Sequence, residues 1–444
     1  MSNQVQSNMQ KVAYTALAGT SIEWYDFFLY GAAAALIFPT VFFGEASPST
    51  ALILSFLTFA AGFIARPIGG IIFGHFGDRI GRKKTLVTAL ILMGVSSTLI
   101  GLLPTYAMIG VTAPILLTTL RFAQGIAIGG QWGGAMLLVT ESAPSNQRGY
   151  YGAFAQAGAP AGVILANLAF IITSASVSDE SFLAWGWRIP FLASALLIAI
   201  SMYIQLNLED TKAFKELQSY KENRLKDNNI DETSFKKSPI IEAIKKYPKR
   251  IILAAGAFLS IQVTFYILIA FMLVYGVSDT NLSRADILTA ILIASAIQIP
   301  VQFVFASYSD RHGRKGIFML GAVLTALWAF AIFPLVDTGS FWLTVLAITG
   351  GLVFLAMMYG PQAAFFTELF TTEVRYSGAT LGYQFGAIAG GAFAPSIAAF
   401  LWTEYDIVWV SAYIAFASLL TLLSVMTLTE TFQTDLNETT SQEI

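Results

Sequence analysis

Apolar residues run along this chain in blocks of roughly 18–25, each long enough to cross a bilayer, and short polar stretches separate them. About twelve such blocks are readable, near 13–38, 51–74, 85–103, 111–139, 150–174, 186–207, 250–276, 287–307, 316–336, 341–366, 378–401 and 407–428. The pattern predicts an all-α membrane protein of twelve transmembrane helices. One long polar insert, residues 208–248, interrupts the rhythm, and it carries nine Lys/Arg and eight Asp/Glu. It divides the chain into a six-helix bundle over 1–207, a linker over 208–248 with a short surface helix near 209–226, a second six-helix bundle over 249–428 and a polar tail over 429–444.

The two bundles repeat one another. Asp78-Arg79-Ile80-Gly81-Arg82-Lys83-Lys84 lies between two apolar blocks, and Asp310-Arg311-His312-Gly313-Arg314-Lys315 lies between two others, 232 positions later. Glu141 precedes Arg148 by seven residues, and Glu368 precedes Arg375 by seven, at an offset of 227. Loops of matching chemistry at matching places imply two pseudo-symmetric halves, which is how secondary transporters are built.

Composition agrees. Of 444 residues, 56% are hydrophobic and 12% charged, with a mean hydropathy of +0.66, which excludes an ordinary soluble domain. The first block holds Glu23 and Asp26 and no small-residue cleavage pattern follows it, so it does not read as a cleaved signal peptide. Cysteine is absent.

Net charge is uninformative, but its distribution is not. Of 25 Lys and Arg, 21 fall in the N-terminal segment and in the loops on its side of the bilayer. The opposite loops hold only Arg188 and Arg284 among basic residues, beside Glu45, Asp179, Glu180, Asp279, Asp286, Asp337, Glu404 and Asp406. The excess of basic residues predicts cytoplasmic termini, linker and tail.

Several stretches resemble a known family. Gly74-His75-Phe76-Gly77-Asp78-Arg79-Ile80-Gly81-Arg82-Lys83 resembles the loop between helices 2 and 3 of the major facilitator superfamily, and Arg121-Phe122-Ala123-Gln124-Gly125 its Arg-x-x-Gln-Gly motif. Glu23-Trp24-Tyr25-Asp26-Phe27-Phe28-Leu29-Tyr30-Gly31, Arg66-Pro67-Ile68-Gly69-Gly70, Trp185-Gly186-Trp187-Arg188-Ile189-Pro190-Phe191 and Arg375-Tyr376-Ser377-Gly378 are similar to its metabolite:proton symporter branch. That branch includes carriers of shikimate, alpha-ketoglutarate, citrate and proline/betaine. The resemblance implies the major facilitator fold, a small-molecule substrate, proton coupling and a bacterial-type cytoplasmic membrane. The branch usually carries an acid within Gly-Gly-Glu-Trp; here the segment is Gly129-Gly130-Gln131-Trp132, and glutamine exchanges no proton.

Four ionisable groups fall well inside the apolar blocks: Glu23, Asp26, Arg66 and Arg121. Each costs roughly 2.5–3.5 kcal/mol at the bilayer centre, so all four should face the bundle interior. Glu23 and Asp26 share one helix face at i, i+3. Neighbouring carboxylates in low dielectric oppose double ionisation, which suits a proton carrier. Both histidines, His75 and His312, lie in loops. Glu23 and Asp26 are therefore the proton-coupling candidates, with neutralisation of an arginine as their structural alternative. Arg121 reads as a substrate-anion ligand or a modulator of a helix 1 carboxylate, with a tie to helix 1 backbone carbonyls as its structural alternative. Arg66 reads as an intramembrane ion pair.

Polar and aromatic residues at mid-helix depth are the remaining substrate-binding candidates: Tyr30, Gln131, Trp132 and Gln156 in the first half, and Gln262, Tyr266, Gln298, Tyr383 and Gln384 in the second. A hydrophilic substrate needs several convergent groups of this kind. At the basic loops, Asp78, Arg82, Glu141 and Arg148, with Asp310, Arg314, Glu368 and Arg375, form a candidate cytoplasmic gate. The resemblance implies that such networks stabilise the outward-facing state.

These readings converge on a proton-coupled importer of a small organic acid. A zwitterion carrier of the proline/betaine kind is the alternative, with Trp24, Tyr25, Phe27 and Phe28 as an aromatic site for a quaternary amine; no heptad pattern marks the tail. A drug/proton antiporter finds only a faint motif in Gly158-Ala159-Pro160-Ala161-Gly162. Nucleotide loops, metal clusters and Ser-His-Asp sets are not apparent, so neither an enzyme nor a cofactor is expected. Nucleic acid is not an expected partner, and a monomer is the expected state.

Overall fold

A computed structural model describes the backbone of residues 3–80, 82–129, 136, 139–206, 239–371 and 374–432. Its architecture is all-helical. Six helices form the first half: α1 (Asn3–Leu36), α2 (Pro48–Ile80), α3 (Arg82–Leu102), α4 (Thr112–Gly129), α5 (Arg148–Ser176) and α6 (Arg188–Leu206). The second half holds α7 (Pro248–Asp279), α8 (Arg284–His312), α9 (Arg314–Asp337), α10 (Phe341–Glu368), α11 (Arg375–Gly386, continuing through Ala394–Glu404) and α12 (Ile407–Thr427).

Among the described residues, eight of these helices cross a bilayer on apolar length alone, and α6 makes a ninth if the 50° bend before it lies within one span. The others include α1, where Glu23 and Asp26 interrupt the apolar run. The expected surface helix near 209–226 lies outside the described residues; a short helix, Pro239–Lys246, leads into α7.

Local chemistry fixes several helix ends. Ser283 accepts from the Asp286 amide at 3.2 Å while Asp286 accepts from the Ser283 amide at 2.9 Å, a capping box that starts α8. Gly313, at φ +99°, lets the chain leave α8 and enter α9 with no further loop residue. Two π-helical turns, Ile267–Phe271 in α7 and Ala387–Ala392 in α11, interrupt the second half's inner helices. Such turns leave a helix locally irregular and are frequent at functional sites.

Within the first half α1 packs on α5, α2 on α4 and α3 on α6; in the second, α7 packs on α11 and α12, and α10 on α8 and α9. The halves meet along α5 with α8 and α10, and along α2 with α11. Small residues permit the closest of these approaches. A Cβ on Gly129 would overlap the Arg66 carbonyl, and one on Gly69 the Ile126 carbonyl, so α2 and α4 touch backbone to backbone.

Candidate translocation site

The middle of the first half holds a directional chain of hydrogen bonds. Arg121 Nη1 on α4 donates to Gln124 Oε1 at 3.1 Å, one helical turn away. Gln124 Nε2 donates to Ser97 Oγ on α3 at 2.6 Å, and Ser97 Oγ donates to Asp26 Oδ2 on α1 at 2.7 Å. All four side chains are buried, Arg121 and Ser97 completely. Every donor points toward Asp26, so the chain as arranged requires a carboxylate oxygen that accepts. The second oxygen, Asp26 Oδ1, makes no hydrogen bond of normal geometry, although Ser194 also stands beside this carboxylate. Glu23, a turn earlier, is only partly buried and has interactions of its own.

Two buried guanidiniums share one phenyl ring. Arg121 lies 4.2 Å from the Phe27 centroid, and Arg66 lies 4.3 Å from the same centroid. Arg121 also stacks on Tyr30 at 4.3 Å and Phe59 at 4.8 Å; Arg66 stacks on Phe63 at 4.4 Å and Trp24 at 5.4 Å. Gly62 makes the room, since a Cβ there would stand 2.6 Å from Arg121 Nε. Rings stabilise a desolvated cation, but they satisfy no N–H in its plane. Nε and Nη2 of both arginines are buried with no hydrogen-bond acceptor. The ion pair expected for Arg66 does not appear: among the described residues its guanidinium faces rings and the Tyr266 hydroxyl rather than a carboxylate. Tyr30, expected to bind substrate, instead donates to Thr58 Oγ1 at 2.7 Å and stacks on Arg121.

Between the halves lies a cavity of about 270 Å³ of empty volume. Its first-half wall is apolar, from Trp24, Phe28 and Ala159; its second-half wall sets Gln262, Tyr266, Tyr359 and Tyr383 among the apolar Phe258, Ile261, Phe265 and Leu355. Two of its walls, Trp24 and Tyr266, also meet Arg66. Gln262 Nε2 is buried without a partner.

At the basic face the halves are locked by charges that cross between them. Arg375 Nη1 lies 3.4 Å from Glu141 Oε1, and Arg148 Nη1 lies 3.8 Å from Glu368 Oε1. Arg314 bonds Glu368 at 3.1 Å and Asp310 at 2.6 Å. Asp310 also accepts from the Gly149 and Tyr150 amides, both at 2.8 Å, at the start of α5. An acid there is stabilised by the helix dipole and by two otherwise unpaired N–H groups. Past α12, Glu430 caps α9 by accepting from the Arg314 and Lys315 amides, both at 2.9 Å, and Thr431 donates to Glu368 at 2.8 Å. The side chains of Asp78 and Arg82 lie outside the described residues.

Comparison with known proteins decides the family. The model of the Major Facilitator Superfamily matches residues 16–381 and 278–442. The chain belongs to that superfamily. It is 38% identical to the inner membrane metabolite transport protein YhjE of Escherichia coli K12, over 96% of this chain and 95% of that one. It is likewise 38% identical to the shikimate transporter of the same organism, over 92% and 91%. To the proline/betaine transporter of Salmonella typhimurium it is 33% identical, over 95% and 84%. Its fold is that of the xylose transporter XylE from E. coli in a partially occluded inward open conformation, with a TM-score of 0.71, 18% identity and cover of 96% and 99%.

As a superfamily member the chain is an integral membrane transporter of twelve helices, not an enzyme, and its relatives place it in the metabolite-transporter branch. Within that frame the sequence-predicted residues fall into four groups. Tyr266, Gln262 and Tyr383 line the central cavity. Gln156 donates to Gln362 Oε1 across the halves at 2.6 Å. Gln298, with both amide atoms unpartnered, and Gln384, with Oε1 unpartnered, are fully buried but do not line that cavity. Gln131 and Trp132 lie outside the described residues. Sequence reasoning missed Ser97, Tyr359 and Gln362, and it quoted Gln124 only as part of a motif.

Proposed function

We propose that this transporter is a proton-coupled symporter of the inner membrane, importing a small organic acid by alternating access between two six-helix bundles, 1–207 and 249–428. The basic face, with both termini, the 208–248 linker and the 429–444 tail, is cytoplasmic on this reading. The observation that carries it is the Arg121–Gln124–Ser97–Asp26 chain. Ionised Asp26 accepts from Ser97 and so fixes Gln124 and Arg121. Protonation removes the charge on which the chain converges and weakens the Ser97 bond, and with it the hold that Gln124 keeps on Arg121. One proton thereby changes the restraint on a buried cation, which is the communication that symport requires.

The charges at the basic face supply the other half of the cycle. Glu141, Arg148, Asp310, Arg314, Glu368 and Arg375 hold that side shut, with Asp78 and Arg82 expected to act with them. Parting the halves there breaks the Glu141–Arg375 and Arg148–Glu368 pairs and the bonds of Asp310 to the Gly149 and Tyr150 amides, so substrate binding must offset the loss. The aromatic cage expected to favour a quaternary amine is filled by the protein's own cations, since Arg66 occupies Trp24 and Phe27. This favours an organic acid over a betaine-like zwitterion.

Uptake in proteoliposomes under an inward proton gradient tests the reading, with labelled shikimate, alpha-ketoglutarate, citrate, proline and betaine as probes. Asp26→Asn should abolish gradient-driven accumulation while leaving binding and exchange; Glu23→Gln should weaken it less. Accumulation of an acid that ignores the proton gradient, or persists in Asp26→Asn, would sink the coupling assignment.

A further inference from the structure

Arg66 and Arg121 are two buried cations on one ring, but they are not equivalent. Arg121 is committed: one nitrogen is tethered to Gln124 and through it to Asp26, and its guanidinium is boxed by Phe27, Tyr30, Phe59 and Gly62. Of those residues Phe27 and Phe59 reach the second half, with ring centroids 6.1 and 5.6 Å from Tyr266, but none lines the central cavity. Arg66 stands at the junction of the halves. It stacks on Trp24, a wall of the central cavity, and meets Tyr266, another wall. Tyr359 and Tyr383, also on that wall, lie within reach of its charge.

The side chain is 1% exposed and its Nε and Nη2 have no acceptor. These two nitrogens form one edge of the guanidinium fork, the edge that a carboxylate accepts in a bidentate pair. Buried donors without partners are rare, and at a ligand site they mark what the ligand must supply. Trp24 and Tyr266, which the guanidinium meets, both line the cavity.

Resting on the symport reading, we infer that Arg66, rather than Arg121, is the carboxylate anchor of the substrate, and that the substrate is a hydroxylated monocarboxylate. The charge balance sets the number of carboxylates. Arg66 is the one intramembrane cation, among the described residues, that is adjacent to the cavity and not tied into the Asp26 chain. The facing wall offers Gln262, Tyr359 and Tyr383, which are neutral groups suited to hydroxyls and poor partners for a second carboxylate. Arg121 then acts on coupling and Arg66 on affinity.

Equilibrium binding to the purified full-length protein, with no gradient, separates this from the symport reading. Shikimate serves as the hydroxylated monocarboxylate, alpha-ketoglutarate and citrate as polyanions, and betaine as the zwitterion. Wild type should bind shikimate and reject the polyanions and betaine. Arg66→Lys keeps the charge but loses the fork, and should weaken shikimate binding at least about tenfold. Arg121→Lys should bind within a few-fold of wild type yet lose gradient-driven uptake. Tyr383→Phe should weaken shikimate more than an analogue lacking its hydroxyls. Thermal unfolding of each variant reports whether it is folded. Unchanged affinity in a folded Arg66→Lys, tighter binding of a polyanion, or binding of none of the carboxylates would overturn the assignment. Shikimate binding that depends on Arg66, with uptake blind to the proton gradient, would instead sustain the anchor and sink symport.

Discussion

Arg375 of the second half lies 3.4 Å from Glu141 of the first, and Arg148 of the first lies 3.8 Å from Glu368 of the second. Each acid of the internal repeat is thus bonded to its counterpart's arginine. Had each Glu paired with the Arg seven residues on, the network would tie neighbouring helices within a half and would be indifferent to opening. Because the pairs are exchanged, parting the halves at this face would break them.

The two pairs should differ in weight. The Glu141 side chain is 49% exposed, so its pair contributes about 0–1 kcal/mol. The Glu368 side chain is 1% exposed and also bonds Arg314. Removing one partner of a buried pair costs about 3–5 kcal/mol. Glu368→Gln should therefore open the basic face far more than Glu141→Gln. The chain has no cysteine, so a single Ala153→Cys on α5, whose carbonyl accepts from Gln302, is a clean reporter. Maleimide labelling there should rise several-fold in the Glu368 variant and little in the other. Equal labelling in both would contradict the exchanged-pair gate.

The α2–α4 contact gives a steric prediction. A Cβ on Gly129 would overlap the Arg66 carbonyl, whereas one on Gly316 meets nothing within 4 Å. Gly129→Ala must push the helices apart, at about 1–3 kcal/mol. Gly316→Ala, at a helical site, should be neutral or slightly stabilising. Thermal unfolding in detergent should show a drop of several degrees for the first and none for the second.

How much of this was readable beforehand depends on the length scale of the signal. Twelve apolar runs and a repeated loop announced the fold, since a bilayer enforces both length and hydrophobicity. The gate residues were readable because the repeat named them, but their exchange between halves was not: sequence spacing reports neighbours along a helix, and the pseudo-symmetry axis decides partners across it. Gln124 lay in plain view, three residues after Arg121 on one helix face. Ser97 did not, because a serine in an apolar run usually bonds its own helix backbone, and only the meeting of α1, α3 and α4 aims it at Asp26. Where the sequence suggested an ion pair for Arg66, Phe63, a turn before it, and Trp24 and Phe27, from another helix, enclose the cation with rings among the described residues.

The tail makes a third prediction. Glu430 closes the exposed N-terminus of α9 with two hydrogen bonds at 2.9 Å, immediately after Gly313 at φ +99°. Lys315 Nζ in turn bonds the Met426 and Leu428 carbonyls at the end of α12. Glu430→Gln keeps the shape but loses the charge that favours a helix N-terminus, and should cost about 0.5–2 kcal/mol. Unfolding midpoints should fall by a few degrees, and Ala153→Cys labelling should rise, since Thr431 next to it supports Glu368. A fall in stability without a rise in labelling would confine the tail to holding α9 and α12 together.

Ser97 gives the sharpest test of the proton path. Ser97→Ala removes the donor to Asp26 and the acceptor for Gln124 in one step, while deleting a single oxygen from a fully buried position. A hydrogen bond to a charged group contributes about 1.5–3 kcal/mol. The variant should therefore lose roughly ten- to a hundredfold in the rate of gradient-driven uptake. Exchange of labelled for unlabelled substrate at equal pH, which needs no net proton movement, should stay close to wild type. Ser97→Thr restores the hydroxyl and should recover most of the lost uptake. If Ser97→Ala depressed both activities equally, the hydroxyl would be holding α1 and α3 together rather than linking the proton to Arg121. If it depressed neither, Asp26 would work without the chain, and Arg121 would need a different route to sense protonation.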